Sequence, residues 1–482
     1  GGKKQSARVG GRSQARQLSL AAGGSPSGAA AAAVSSHIEE VGLGSYQLQQ
    51  VLLVACFFFC EAAELDVISP LTTAWRLDWA LVTDQVALLA SIGYLGFAAG
   101  TLLSGFLGDN FGRRVPILAG YTGVILGSLG MWSASSPIDV GAFRALTGFS
   151  VGIGVPASLA ITAEIAPAQS RGSLISVCYL AIAVGALYAD LGLYLFLPDL
   201  QTGDWRSLCL WSALPAMLAL PVGLLALEDT PSFFLSKGDS KGLARVLGKM
   251  STSNARPDVV WQPPTAAEGE TMKSSTSNRD ADAGDVLPYA PLLAACAALD
   301  FSYNFVGFGC GYFLPLVFAE LAPSAPIPAV GQLVISSFLA FPALAIAFWS
   351  INSEYGHKNV LMVAGIIEAG SGLCLLEHGY DLLPILGIFV LKLTMLTFSQ
   401  TVNTVKGELF PARVRVTALS VIGTCGRVGA LVAPALIEET RGAPGRPGEF
   451  DIFITCLVTV VSIATCLGIC FLPETKGQRL PD

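Results

Sequence analysis

The chain has 482 residues, of which 52% are hydrophobic and only 13% charged. Soluble domains carry about 25% charged residues, so this composition excludes a water-soluble globular fold, and the mean hydropathy of +0.61 agrees. The net charge of -7 names no partner, because orientation in a membrane follows local Lys and Arg placement rather than net charge.

Residues 1–49 are rich in Gly, Ser, Ala and basic side chains (Lys3, Lys4, Arg8, Arg12, Arg16). This composition predicts a disordered tail, or a transit peptide, since acids are scarce at its start; no cleavable signal peptide is visible. Apolar stretches follow, each close to the ~20 residues that cross a bilayer. They fall near 50–72, 86–108, 115–134, 140–161, 173–197 and 206–227, then near 288–312, 329–350, 358–377, 383–404, 415–437 and 450–472. Only a helix satisfies every backbone group within such a span. The expected fold is an all-α membrane protein with twelve transmembrane helices in two six-helix, pseudo-symmetric bundles, 50–227 and 287–472. Between them, 228–286 is rich in Ser, Thr, Asp, Pro and Lys and reads as a cytoplasmic linker; 473–482 is a short tail.

If the spans alternate, Arg113, Arg114, Arg171, Arg413 and Arg415 share the side of the N-terminal tail. The positive-inside bias then places both termini in the cytoplasm, with Arg76, Arg441 and Arg446 opposite. The membrane itself, plasma membrane or organelle, is not specified. The eleven cysteines are scattered and read as small hydrophobes. No His or Cys cluster has metal-ligand spacing, and no Gly-rich nucleotide loop or Ser-His-Asp arrangement is evident. His357 in a short connection and His378 beside Tyr380 look unpartnered. No enzyme, metal, cofactor or nucleic acid is expected. The expected partners are the bilayer, a small solute and a proton, and the expected state is a monomer.

The two halves carry matched signals. Glu164, Pro167 and Arg171 follow the fourth span, and Glu408, Pro411 and Arg415 follow the tenth at the same spacing. Gly105-Phe106-Leu107-Gly108-Asp109-Asn110-Phe111-Gly112-Arg113-Arg114 follows the second span, and Ser353-Glu354-Tyr355-Gly356-His357-Lys358 is its weaker second-half copy. Gly105 allows close helix approach, Gly112 a tight turn, and Asp109 a basic partner. With Glu228-Asp229-Thr230-Pro231 and Pro473-Glu474-Thr475-Lys476-Gly477, the set resembles the sugar and organic-ion porter branch of the major facilitator superfamily. Asn110 and Ser232 stand where the branch usually has Arg. The resemblance implies a substrate site between the halves and a cytoplasmic ion-pair network of Asp109, Arg113, Glu164, Arg171 and Glu228 in the first half and Glu408, Arg415 and Glu474 in the second. Pairs Glu164–Arg171 and Glu408–Arg415 are expected there. The degraded copy implies a second half held less tightly.

Sugar porters of that branch bind substrate through polar residues at fixed places. Those places hold Tyr179, the pair Ser302 and Tyr303, and Asn403 here, so a hydroxyl-rich sugar loses partners. Glu61-Ala62-Ala63-Glu64-Leu65-Asp66-Val67-Ile68-Ser69-Pro70-Leu71 resembles the first span of synaptic-vesicle-protein-related and nicotinate-type transporters. Cys425-Gly426-Arg427-Val428-Gly429-Ala430-Leu431-Val432-Ala433-Pro434 resembles the eleventh span of organic-ion transporters.

Ionisable residues inside spans are functional candidates by default. Here they are Glu61, Glu64, Asp66, Asp190, Asp300 and Glu368 against Arg144, Lys392 and Arg427. Lys392 and Arg427 are expected to hold an anionic group, with Tyr179, Tyr303, Asn304 and Asn403 completing the substrate site; carboxylates outnumber cations, so a cationic solute stays open. The resemblance implies that a first-span carboxylate pairs with Arg144 for proton coupling. Asp66 is the first choice and Glu64 and Glu61 the alternatives. The expected function is alternating-access transport of a small organic ion of the carboxylate type, coupled to protons. A hexose porter, a facilitative uniporter and a transport-inactive receptor are the alternatives.

Overall fold

The computed structural model describes residues 26–262, 288–321, 327–376, 382–410, 412–441 and 450–475. The basic tail residues before Ser25, most of the linker beyond Gln262, His378 and the Lys476-Gly477 end lie outside these residues. Among the described residues the chain is helical, without strands.

The first half comprises α1 (Pro26–Val41), α2 (Ser45–Leu65), α3 (Ile68–Trp79), α4 (Thr83–Phe111), α5 (Arg114–Ser133), α6 (Pro137–Ile165), α7 (Arg171–Phe196) and α8 (Trp205–Ala226). Two short helices, α9 (Pro231–Ser236) and α10 (Ser240–Ser253), open the linker. The second half comprises α11 (Ala290–Leu321), α12 (Ala329–Phe338), α13 (Ala340–Asn352), α14 (His357–Cys374), α15 (Leu382–Leu409), α16 (Ala412–Thr440) and α17 (Asp451–Phe471). Ten segments are long and apolar enough to cross a membrane, α12–α13 counting as one. The broken pair α2–α3 and the shorter α14 complete the twelve spans.

Two spans break at prolines. Proline has no N–H and its ring clashes with the carbonyl four residues back. Pro70 therefore disrupts the helix at Asp66, which caps α2, and Pro342 does so at Phe338, where α12 ends. Some helix starts are capped by a side chain, as at Ser136, Asp204, Thr230 and Asp239. Ser136 Oγ accepts from Asp139 N at 3.2 Å, and the Asp139 carboxylate accepts from Ser136 N at 3.0 Å, a capping box at the start of α6. Helices α4 and α6 touch backbone to backbone. A Cβ on Gly148 would lie 1.9 Å from the Gly93 carbonyl oxygen, and one on Gly152 would lie 2.2 Å from that of Phe97, so small residues set this crossing.

Two expectations from composition are corrected. Residues 26–41, expected in a disordered tail, form α1, and the start of the linker is helical too. The Ala-rich run of α1 buries Val34, Ile38 and Val41 against Leu243, Val246, Leu247 and Met250 of α10. Asn254 ties this layer to the bundle, donating to the Gly42 carbonyl at 3.0 Å and to Gln47 at 2.8 Å and accepting from Tyr46 N at 3.0 Å. His37 sits inside it, 3.2 Å from Ser251 Oγ, and burial lowers its pKa. An apolar helix face buried against a partner supplies the stability that a tail alone lacks.

The core is divided unequally across the membrane. On the side away from the linker, one apolar cluster unites the halves, with Trp75, Leu89, Tyr94 and Leu193 beside Phe305, Tyr312, Ala433 and Phe453. On the linker side there are two clusters: Phe57, Ile117, Ile161 and Leu174 in one half, and Leu299, Phe398, Phe410 and Leu472 in the other.

Candidate functional site

The three acids of the first span have different surroundings. Three residues along a helix advance it by about 300° and two by about 200°, so Glu61, Glu64 and Asp66 diverge. Glu64 points into its own half. Its carboxylate lies 3.9 Å from the Arg144 guanidinium and accepts from Ser128 Oγ at 2.7 Å. Arg144 also donates to the Glu64 carbonyl at 3.5 Å. Both side chains are 2% exposed. Gly93 makes room for the arginine, since a Cβ there would lie 2.8 Å from Arg144 Nε. Asp66, the first choice for this pairing, is not brought to Arg144: at the end of α2 it comes within electrostatic reach of Lys392 in the other half.

Glu61 faces the gap between the halves, within electrostatic reach of Arg427. Six spans, α2, α4, α7, α11, α15 and α16, converge there. The Arg427 guanidinium of α16 lies 4.0 Å from the centroid of the Phe97 ring and donates to Asn304 Oδ1 of α11 at 3.3 Å. Tyr179 of α7 is within electrostatic reach of Tyr303, Glu61 and Arg427. Lys406 of α15 pairs with Asp300, lies 5.7 Å from the centroid of the Tyr303 ring, and feels Arg427. Tyr179, Tyr303, Asn304 and Arg427 thus lie together, and Lys406 rather than Lys392 lies with them. Lys392 lies 14 residues earlier on α15, about 21 Å along the helix, near Asp66 and Asp190. Lys406 follows the apolar run at 383–404, and only its burial beside Asp300 separates it from a loop lysine. Asn403 donates to the Ser399 carbonyl of its own helix at 2.9 Å. Glu368 is wholly buried, and its two carboxylate oxygens lack a hydrogen-bond partner among the described residues.

The linker-side network forms within each half and follows the repeat. Arg113 meets Asp109 at 3.0 Å and Glu164 at 3.2 Å, and Thr230 donates to Glu164. Asp229 accepts from Arg114 N at 2.9 Å. Burial raises the Asp229 pKa against the pull of the Arg114 amide and guanidinium. Glu228 pairs with Lys249. The expected Glu164–Arg171 pair is not formed. Glu164 is occupied by Arg113 and Thr230, and Arg171 is exposed at the start of α7. In the second half, Glu474 accepts from His357 N at 2.8 Å and Lys358 N at 3.2 Å. His357 Nδ1 lies 3.1 Å from Glu408 and 3.0 Å from Thr475 Oγ1. His357 therefore takes the place of Arg113, Glu408 that of Glu164, and Thr475 that of Thr230. His357 is buried with partners, contrary to the reading of a bare loop histidine, because α14 begins at it and the tail folds over it. The degraded copy keeps the geometry. The side chains of Arg413 and Arg415 lie outside the described residues, and with them the Glu408–Arg415 pairing.

Gly112 carries a test of this network. Its φ is +92°, and a Cβ would lie 2.3 Å from Asp229 Oδ1. Gly112→Ala combines left-handed strain of about 1–3 kcal/mol with expulsion of Asp229. A lower melting temperature of the purified protein, not restored by Asp229→Ala alone, is the expected result.

Opposite the linker, the halves are bridged. Arg76 of α3 meets Glu438 of α16 at 2.5 Å, Tyr312 Oη donates to Glu438 at 2.7 Å, and Thr72 lies 3.0 Å from Tyr312 Oη. Ser91 Oγ donates to the Leu431 carbonyl at 3.3 Å. Sequence reading missed this cluster, since Arg76 and Glu438 stand 362 residues apart at span ends where loop charge is ordinary.

Residues 32–482 match the family described as "Sugar (and other) transporter". The chain belongs to this family. Among its relatives, the synaptic vesicle 2-related protein of Xenopus laevis is 26% identical over 478 residues, covering 93% of this chain and 82% of the relative. The niacin transporter NiaP of Acinetobacter baylyi is 23% identical over 451 residues, covering 92% and 98%. Among solved structures, the proton:xylose symporter XylE of the major facilitator superfamily superposes with a TM-score of 0.70 at 17% identity, covering 90% of this chain and 98% of that one. The fold is that of the superfamily, with twelve membrane helices in two halves, and the chain is a multi-pass membrane transporter of the sugar and metabolite type, not an enzyme.

Proposed function

We propose that this transporter carries a small organic anion of the carboxylate type together with a proton, by alternating access. One observation carries the reading. Where the halves meet, Arg427 and Lys406 stand beside the rings of Tyr179, Tyr303 and Phe97. A planar guanidinium binds carboxylate through two parallel hydrogen bonds, and aromatic rings hold the apolar body of a small acid. The niacin transporter among the relatives supports the same class.

Charge balance supports the proton. Arg427 faces Glu61, and Lys406 is paired with Asp300. An entering carboxylate adds a negative charge to a balanced, desolvated site, and buried uncompensated charge is costly. A proton taken up by Glu61 or Glu64 removes that cost. The charge exchange at Glu64–Arg144 then frees the first half to rock.

Described basic residues Arg113, Arg114, Arg171, Lys237, Lys241, Arg245 and Lys249 lie on the linker side, and this bias supports reading that side as cytoplasmic. With the opposite side bridged by Arg76, Glu438 and Tyr312, the conformer is the inward-facing one. The linker-side network of each half then sets how the halves meet in the outward-facing state.

The test is uptake of radiolabelled nicotinate by proteoliposomes. A gradient of about one pH unit, acid outside, should support about tenfold accumulation, because about 1.4 kcal/mol is a factor of ten. D-Xylose should not compete. Uptake of a hexose or an amine in place of monocarboxylates would overturn the anion assignment. Nicotinate counterflow without gradient-driven accumulation would leave a uniporter.

A further inference from the structure

A second cavity lies away from the central site, on the side opposite the linker, where α7 meets α12. This cleft of about 530 Å³ is lined by Leu187, Leu191, Tyr194, Val334 and Phe338, together with Asp190. Tyr194, Leu191 and Phe338 are largely exposed, so the cleft opens sideways, toward the bilayer. Its walls come from both halves. Asp190 is 1% exposed, and its Oδ2 has no hydrogen-bond partner among the described residues. Ser337 of α12 faces it, and Asp66 and Lys392 lie within electrostatic reach on the inner side. No Lys or Arg is among the residues lining the cleft.

An apolar cleft of this size accepts a small ligand, and a lipid chain alone would leave the carboxyl oxygen unsatisfied in low dielectric, which is costly. A protonated amine with an apolar body satisfies both surfaces. We propose that the cleft between α7 and α12 is a lateral site for a hydrophobic amine, whose ammonium pairs with Asp190 while its body fills the cleft. A ligand touching both halves binds best to the state that holds its walls this close, so occupancy keeps the outer side shut and slows transport. The site is separate from Arg427, and its test is independent of which solute is carried.

The experiment is binding of N,N-dimethyloctylamine to the purified full chain in lipid nanodiscs, followed by thermal shift, with 1-octanol as the neutral control. The amine should raise the melting temperature and octanol should not. Asp190→Asn, which keeps shape and removes charge, should weaken amine binding about tenfold or more, as expected for a charged hydrogen bond in a buried site. Val334→Trp, which fills the cleft, should do the same. Equal shifts from amine and octanol overturn the proposal, as does unchanged amine affinity in folded Asp190→Asn. If Asp190→Asn does not fold, Val334→Trp decides: loss of amine binding supports the site, and undiminished binding overturns it.

Discussion

Arg427→Gln is expected to lower nicotinate uptake about 100-fold or more while leaving a folded protein. The arginine sits where both halves contribute: stacked on Phe97 of the first, hydrogen-bonded to Asn304 of the second, and opposite Glu61. Truncating one partner of a buried, hydrogen-bonded charge pair costs about 2–5 kcal/mol. Gln retains the hydrogen bond to Asn304 but loses the charge and the fork. Arg427→Lys should recover only part of the uptake, because an ammonium is a point charge that neither forks nor stacks like a guanidinium. Lys406→Met should be milder for solute affinity but costly for folding, since it strands Asp300. Proteoliposome uptake and a melting curve on each variant separate the two effects. Full uptake by Arg427→Gln would remove this residue from the site and the anion reading with it.

The second large effect is expected at the pair buried in the first half. Arg144→Ala leaves Glu64 charged, 2% exposed and without its cation, and breaking a buried pair from one side costs about 3–5 kcal/mol. The variant should melt well below the parent and transport nothing. Glu64→Gln keeps the shape and the contact with Ser128, so it should fold, with a lower melting temperature because Arg144 is left without its anion. It should lose gradient-driven uptake while keeping counterflow, because the group that exchanges its pairing on protonation is gone. Removing both charges, Glu64→Gln with Arg144→Gln, should restore much of the melting temperature, since neither charge is then stranded. Asp66→Asn should retain gradient-driven uptake, as Asp66 faces Lys392. If Asp66→Asn uncouples the carrier and Glu64→Gln does not, the coupling role belongs to Asp66. If Glu61→Gln alone uncouples it, the proton travels with Arg427.

Much of the fold was legible in the sequence because its cause is local. A run of about 20 apolar residues must form a helix in lipid, since no water is there to satisfy the backbone. Twelve such runs, and the Glu–Pro–Arg signal repeated one half-length apart, were enough for the two bundles and the family. The breaks at Asp66 and Phe338 were present too, in Pro70 and Pro342, though hydropathy does not register them. Helix α1 was not legible, because its Ala-rich run is stable only against α10.

Partner choice was decided by the tertiary structure alone. Spacing along a chain tells which face of its own helix a residue occupies, not what the facing helix presents there. Glu164 meets Arg113 and Thr230 rather than Arg171, seven residues away on its own strand of sequence, because the next helix starts beneath it. Glu64 reaches Arg144 because Gly93 leaves space for the guanidinium. Lys406 becomes a site residue because Asp300 lies buried across from it. His357 becomes the counterpart of Arg113 because the tail brings Thr475 and Glu474 over it. Each outcome depends on the depth and rotation at which two helices cross, and those are set by small residues and turns far from the charged groups themselves.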